Sequence, residues 1–106
     1  MNQNVVVTST CSSEEEALRI AREVVERGLA ACVQIIPGIR SVYRWQGKLE
    51  VTSEWLLLVK TNSAKFELLG RVIELLHSYD VPEVLAVPVL AGSEKYLAWM
   101  DEALSA

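Results

Sequence analysis

The side chains best able to bind a metal or to act as a nucleophile in this 106-residue chain are those of one histidine and two cysteines. His77 is the only histidine, and the two thiols belong to Cys11 and Cys32. A neutral imidazole is a good ligand for copper and zinc, and thiolates bind copper(I). A cysteine beside a histidine can also act as a nucleophile, but no nucleotide-binding, zinc-protease or hydrolase motif accompanies these residues. The sequence therefore predicts no enzyme and leaves metal binding open.

Each of these residues also has a structural interpretation. Cys32 lies in an apolar run, residues 29–33, where a thiol usually packs as a small hydrophobic group. His77 falls at the end of a predicted helix, where an imidazole commonly bonds a carbonyl oxygen. Spacing alone favours that structural role. His77 becomes a metal ligand only if the fold or a neighbouring subunit brings other ligands to it.

A second group of charged and aromatic side chains could bind a small molecule or another subunit. Glu54 and Lys60 share one face of a predicted strand, and Glu83 follows a proline where Lys60 could pair with it. Aromatic side chains on hairpins and terminal helices commonly mark subunit contacts. The predicted contact residues are Tyr43, Trp45, Trp55 and Trp99.

The composition excludes several classes of protein. Hydrophobic residues make up 51% of the chain and charged residues 23%, which is typical of a globular domain. The net charge is −4 with no cluster of Lys and Arg, so nucleic acid is not expected as a partner. The longest charge-free stretch, residues 28–39, is too short to cross a membrane. No basic secretory signal opens the chain, and two unpaired thiols suit a reducing compartment. We expect a single cytoplasmic domain over residues 1–106.

The first half of the chain predicts a strand, a helix and a long hairpin. Residues 4–11 are rich in β-branched side chains, and the overlapping capping boxes at Ser12 and Ser13 begin a helix that ends at Gly28. Residues 29–36 form a second strand that Pro37-Gly38 bends or breaks. Two alternating stretches then flank a turn at residues 46–48.

The second half predicts a helix, a strand and a final helix. Asn62 or Ser63 begins the second helix, residues 84–90 form the last strand, and Ser93 begins the last helix. The order β-α-β-β-α-β-α is that of the ferredoxin-like split β-α-β sandwich. This α+β fold has an antiparallel four-stranded sheet with helices on one face. A doubly wound α/β fold is the alternative, and the central hairpin argues against it. The extended hairpin has an apolar side that needs a partner to cover it.

Several short sequence segments along the chain together resemble the CutA family of divalent-cation tolerance proteins. The resemblance spans nearly the whole chain and rests on Ala30-Ala31-Cys32, Ile36-Pro37-Gly38, residues 41–48, Glu54, Lys60-Thr61, residues 77–83 and residues 96–99. It implies a ferredoxin-like fold and a homotrimer in which the long hairpins join the sheets of neighbouring subunits. It also implies a role in tolerance of divalent cations, copper above all.

The resemblance carries over to particular residues. Cys32 matches the family's second-strand cysteine, and His77 matches the histidine before the Tyr-x-x-Pro-Glu turn. Ser9 stands where some bacterial members have a cysteine, and Leu76 stands where members with paired histidines have the first one. These two changes remove a soft ligand and an imidazole, so they predict a weaker or differently built copper site.

The sequence and the resemblance lead to one main hypothesis. We expect a non-enzymatic homotrimer that binds copper(II) or another divalent cation at His77, with Cys32 and Glu83 as the next ligands and Cys11 as a more remote candidate. The first alternative is a sensor similar to the PII proteins, which would bind an anionic metabolite between subunits near Glu54, Lys60 and Tyr79. The second is a scaffold that presents a surface to another protein. No nucleic acid or membrane is expected as a partner.

Overall fold

The computed structural model describes residues 2–105 and contains one four-stranded sheet. The strands are β1 (Asn4–Cys11), β2 (Cys32–Trp45), β3 (Lys48–Asn62) and β4 (Leu85–Pro88). Their order across the sheet is β2-β3-β1-β4, and every neighbouring pair is antiparallel. Since β3 separates β1 from β2 and β1 separates β3 from β4, this is the split β-α-β arrangement. The predicted α+β fold is confirmed.

Three helices connect or follow the strands: α1 (Glu14–Glu26), α2 (Phe66–Leu76) and α3 (Glu94–Ser105). Ser13 begins α1 as predicted, because its hydroxyl accepts a hydrogen bond from the Glu16 backbone at 3.1 Å. Gly28 follows the helix with φ 72°.

The start of α2 differs from the sequence prediction. Lys65 occupies the N-cap position and makes no side-chain cap bond. Asn62, one of the two predicted caps, still contributes, since its side-chain oxygen accepts from the Lys65 backbone nitrogen at 3.1 Å. The extra turn between these residues moves the beginning of the helix to Phe66.

The core lies between one face of the sheet and the first two helices. The sheet contributes Val7, Leu57 and Val59, and the helices contribute residues such as Ile20 and Ile73, all fully buried. We call the opposite face, which holds the alternate residues of each strand, the open face. The two connecting helices lie on one face of the sheet as predicted, whereas α3 contacts the open face. Lys60 follows the core residue Val59 in β3, so its side chain lies on the open face. There it donates a hydrogen bond to the Tyr96 hydroxyl of α3.

The hairpin formed by β2 and β3 is the longest feature of the molecule. β2 runs through Pro37-Gly38 with only a shift of register between Ile36 and Ile39, so of the predicted bend or break the structure shows the bend, a bulge within one continuous strand. The tip is a two-residue turn at Gln46 and Gly47, both with positive φ. Lys48, predicted as part of the turn, already belongs to β3.

The last strand is shorter than predicted. The sequence favours residues 84–90, and β4 covers Leu85–Pro88, beyond which Val89 makes one further backbone bond to Asn4. Within residues 2–105, no helix is long and apolar enough to cross a membrane.

Candidate functional site

Three ligand-type side chains meet where β1, α1 and α2 come together. Cys11 is the last residue of β1, Glu16 lies in the first turn of α1, and His77 follows the last turn of α2. Their side-chain ligand atoms all lie within 4.8 Å of one another, and no other group of three such side chains was found among residues 2–105. We call this group the Cys–Glu–His cluster.

Both ring nitrogens of His77 have a partner. The Tyr79 backbone nitrogen donates to Nδ1 at 3.1 Å, and Nε2 lies 2.7 Å from the carbonyl oxygen of Thr10. A carbonyl oxygen can only accept a hydrogen bond, so Nε2 carries the proton and Nδ1 the lone pair. The imidazole side chain is completely buried and ties β1 to the loop after α2. The sequence predicted this kind of bond, and the carbonyl belongs to β1 rather than to the helix.

Glu16 places an unpaired oxygen in the cluster. Its Oε2 accepts from the Ser78 backbone nitrogen at 3.0 Å, and Arg19 lies 3.9 Å from the same oxygen. Its Oε1 lies 3.8 Å from His77 Nδ1 and is buried without a hydrogen-bond partner in the described part of the chain. A buried carboxylate oxygen without a donor is costly, so this atom is the point of the cluster best able to accept a cation.

The thiol of Cys11 is held in its protonated form. Burial, with a further contribution from the neighbouring Glu16 carboxylate, raises its pKa to about 12. Its Sγ lies 3.7 Å from His77 Nε2, which faces it with a proton rather than a lone pair. Cys11 is therefore not poised as a nucleophile near neutral pH, which agrees with the absence of an enzyme motif.

The structure does not bring the other predicted metal ligands to His77 within one chain. Cys32 pairs with Lys60 and lies on the open face, whereas Cys11 alternates to the core face. Glu83 accepts a hydrogen bond from the Thr8 hydroxyl at 2.6 Å, also on the open side. Neither residue belongs to the group of ligand atoms around the imidazole. Cys11, the remote candidate, is the thiol that lies beside it.

Glu16 is the member of the cluster that sequence reasoning missed. The spacing from Ser13 predicts a capping box, in which the glutamate side chain returns to the cap residue. Ser13 does accept from the Glu16 backbone, but the carboxylate points to Ser78 and His77 instead. An acidic residue placed soon after a strand-ending cysteine was the only available signal.

A second site lies on the open side, between the hairpin and the loop after α2. This hairpin pocket, of about 700 Å³, is lined among others by Tyr43, Trp45, Glu54, Tyr79, Asp80 and Glu83. The Tyr79 hydroxyl donates to Glu54 Oε2 at 2.6 Å. Burial and this contact raise the pKa of Tyr79 well above its usual range. Of the three residues predicted to line a ligand cleft, Glu54 and Tyr79 meet here.

The remaining predicted residues belong to neither site, although Trp55 is the cross-strand partner of Cys11. Lys60 donates to the Tyr96 hydroxyl at 3.1 Å and does not line the hairpin pocket. Trp55 packs against the core of its own chain. Trp99 is 46% exposed on α3, with its ring 5.4 Å from that of Tyr96. Contact of Trp55 or Trp99 with another subunit stays a prediction.

Comparison with known proteins gives a consistent result. The family model described as "CutA1 divalent ion tolerance protein" matches residues 5–103. The "Divalent-cation tolerance protein CutA" of Thermus thermophilus is 48% identical over 97 residues, covering 92% of this chain and 94% of that protein. The chloroplastic protein CutA of Arabidopsis thaliana is 45% identical over 92% of this chain. This chain spans only 53% of the length of the plant protein.

Solved structures agree with the sequence comparison. A divalent cation tolerance protein from Thermus thermophilus superposes with a TM-score of 0.91 and 47% identity, covering 94% of this chain and 97% of that one. A protein from Archaeoglobus fulgidus, described as a periplasmic divalent cation tolerance protein, gives a TM-score of 0.92 and 40% identity over 95% and 98% of the two chains. The chain therefore belongs to the CutA1 family of divalent ion tolerance proteins.

Proposed function

We propose that this chain is a non-enzymatic protein of divalent-cation tolerance that binds copper(II) or another divalent cation at the Cys–Glu–His cluster. The observation that carries the proposal is the buried, unpaired Oε1 of Glu16 beside a thiol and an imidazole. Membership of the divalent ion tolerance family supports it.

The donor set suits a borderline or soft cation. Thiolate, imidazole and carboxylate together favour copper and zinc over magnesium and calcium, which prefer oxygen ligands alone. Two ligand atoms on one tetrahedral ion lie roughly 3.5 Å apart. The 3.7 Å between Cys11 Sγ and His77 Nε2 is close to this separation.

Binding at this cluster has a clear cost, which supports a weak site. Cys11 must lose its thiol proton, and the pKa of about 12 opposes that loss. If Nε2 of His77 is the ligand, its proton must move to Nδ1, which faces Glu16 Oε1 at 3.8 Å and is now bonded to Tyr79. We therefore expect affinity to rise about tenfold per pH unit below pH 9, since one proton leaves for each ion bound.

The test is calorimetric titration of chelator-stripped protein with copper(II) and zinc(II), in two buffers that differ in ionisation enthalpy. The difference between buffers counts the protons released. Cys11→Ser and Glu16→Gln should each weaken binding at least about tenfold, and Cys32→Ser is the matched control that should not. Loss of binding in Cys32→Ser with Cys11→Ser unaffected would assign the site to the open face instead.

We further propose that the functional form is a homotrimer joined through the hairpins and the open face. Apolar side chains of the hairpin are exposed in one chain: Val42 by 64%, Leu49 by 70% and Val51 by 60%. Patches of this kind commonly become subunit contacts. Light scattering should give three times the mass of one chain, and a monomer at all concentrations would contradict the proposal.

The alternative of an anionic ligand receives no support from the hairpin pocket. Glu54, Asp80 and Glu83 line it, and no Lys or Arg does so in the described part of the chain. We therefore keep the cation-binding function as the single proposal.

We propose a cytoplasmic location on the free thiols alone, since Cys11 and Cys32 form no disulfide. The Archaeoglobus fulgidus relative is described as periplasmic. Fractionation of the source cell decides the matter: recovery of the chain outside the cytoplasmic fraction would overturn the proposal.

A further inference from the structure

We propose that Tyr79 sets the affinity of the Cys–Glu–His cluster for a cation, because its backbone N–H competes with the cation for the one lone pair of the His77 ring. The inference rests on the proposed cation-binding function and adds a positioning residue outside the cluster. Tyr79 is held at both ends. Its backbone nitrogen donates to His77 Nδ1 at 3.1 Å, and its hydroxyl donates to Oε2 of Glu54 in β3 at 2.6 Å.

The competition follows from the chemistry of the ring. A neutral imidazole has one nitrogen that accepts a hydrogen bond and one that donates. In His77 the lone pair is on Nδ1, where it accepts from Tyr79, and the Nε2 proton faces the Thr10 carbonyl oxygen. A cation that binds Nδ1 displaces the Tyr79 N–H directly. A cation that binds Nε2 requires the ring proton to move to Nδ1, where it faces the Tyr79 N–H as a second donor. The Tyr79 bond is therefore lost in either mode of binding.

The bond to Glu54 keeps the competing N–H in place. It anchors the Tyr79 side chain to β3, and its length of 2.6 Å falls in the range of strong, charge-assisted hydrogen bonds. The Tyr79 ring also lies against the His77 ring, with 4.7 Å between the two centroids. Glu54 is only 4% exposed within one chain, so a neighbouring copy has little access to the carboxylate. A cation at the cluster must therefore displace an N–H that the hairpin holds against the imidazole.

Removal of this anchor should strengthen cation binding. Tyr79→Phe keeps the ring and the backbone N–H but loses the bond to Glu54, so the loop after α2 can leave Nδ1 more easily. We expect zinc(II) to bind about threefold more tightly or better, as one hydrogen bond allows. The measurement is calorimetric titration of the intact, chelator-stripped protein. Damage to the fold would weaken binding, so the direction of the change separates the two effects.

Tyr96→Phe is the matched control for the lost hydroxyl. The Tyr96 hydroxyl also takes part in a hydrogen bond, which it accepts from Lys60 at 3.1 Å, but it belongs neither to the cluster nor to the loop after α2. This variant should bind zinc(II) as the unmodified protein does.

Amide hydrogen exchange, followed by NMR, tests the lost bond itself. The Tyr79 amide should exchange at least about tenfold faster when zinc(II) is bound. The neighbouring Ser78 amide, which donates to Glu16 Oε2 at 3.0 Å, should keep its rate. This measurement uses the unmodified protein, so it does not depend on the folding of a variant.

The outcomes separate this inference from the proposed function. If zinc(II) binds but Tyr79→Phe binds it equally or more weakly, the inference is overturned and the cation site stands. An unchanged Tyr79 exchange rate, equal acceleration at Ser78, or the same gain in Tyr96→Phe has the same meaning. If neither the unmodified protein nor Tyr79→Phe binds zinc(II) or copper(II), the proposed function is overturned and this inference falls with it.

Discussion

At the scale of single residues, His77 acts as a connector whose two nitrogens join separate segments. Its ring bonds the Thr10 carbonyl of β1 and the Tyr79 backbone nitrogen of the following loop. The same ring offers the only imidazole for a metal. Any cation at Nε2 therefore competes with a bond that holds the fold.

Removal of this ring should destabilise the chain. His77→Ala leaves the Tyr79 nitrogen without its partner and the Thr10 carbonyl with one fewer donor. Each buried polar group that loses its hydrogen bond lowers the free energy of unfolding by about 1–3 kcal/mol. We expect the free energy of unfolding, measured in urea, to fall by about 2 kcal/mol or more. Ser78→Ala, which keeps the backbone bond to Glu16, is the control. A loss under about 0.5 kcal/mol in His77→Ala would show that the ring does not connect these segments.

Cys11 should make the fold sensitive to alkaline pH. Its pKa is about 12 in the folded chain, by burial first and Glu16 second, against 9.0 for the free side chain. Between these values the unfolded chain loses the thiol proton and the folded chain keeps it, so stability falls as pH rises. The slope should approach about 1.4 kcal/mol per pH unit.

Urea titrations between pH 8 and 11 measure this slope. Cys11→Ala should reduce it, and Cys32→Ala should leave it as in the unmodified chain. Equal slopes in all three proteins would mean that the Cys11 thiol titrates alike in both states.

The sequence predicts His77 as a site residue and Cys11 only as a remote candidate, and it does not predict Glu16. Its position before a Tyr-x-x-Pro-Glu turn can be read from the sequence alone. Glu16 approaches His77 because of the way α1 packs against α2. In the sequence, the capping box with Ser13 already accounts for a glutamate at this position. The sequence alone does not show which of the two thiols, Cys11 or Cys32, lies beside His77. Only strand alternation in the assembled sheet separates them by face.

At the scale of elements, local signals predict most of the chain because caps and periodicity act locally. The capping serine and the glycine at the ends of α1 are two examples. The sequence left open whether Pro37-Gly38 bends β2 or breaks it. A proline ordinarily ends strand pairing, and here its missing N–H falls at the register shift between Ile36 and Ile39.

Two glycines should respond to alanine in opposite directions. Gly47 has φ +81° in the hairpin turn, so Gly47→Ala should cost about 1–2 kcal/mol. Gly70 lies inside α2, where an added Cβ meets Val84 at an ordinary 3.5 Å, so Gly70→Ala should stabilise by about 0.5–1 kcal/mol. Urea unfolding of both variants tests the helix and the turn together, and destabilisation by Gly70→Ala would mean that α2 packs more closely against Val84 than the structure shows.

At the scale of the whole molecule, the exposed apolar hairpin connects the fold to its assembly. Trp45 is 43% exposed near the hairpin tip, whereas Trp55 packs against the core of its own chain. The two residues are alike in sequence, and only the structure separates a surface ring from a core ring.

Alanine at these two positions should therefore act on different equilibria. Trp45→Ala should weaken the assembly, seen as dissociation at higher protein concentration in sedimentation experiments. Trp55→Ala should lower the stability of each chain by about 3–5 kcal/mol. Unchanged association in Trp45→Ala would remove this ring from the proposed subunit contacts.

The central claim is that a divalent cation binds between Cys11, Glu16 and His77. Anomalous X-ray diffraction at the copper or zinc absorption edge, on crystals soaked with that metal, locates the ion directly. The account predicts a peak in contact with Cys11 Sγ, Glu16 Oε1 and the His77 ring. A peak only beside Cys32 or Glu83, or no ordered ion at a saturating metal concentration, would contradict it.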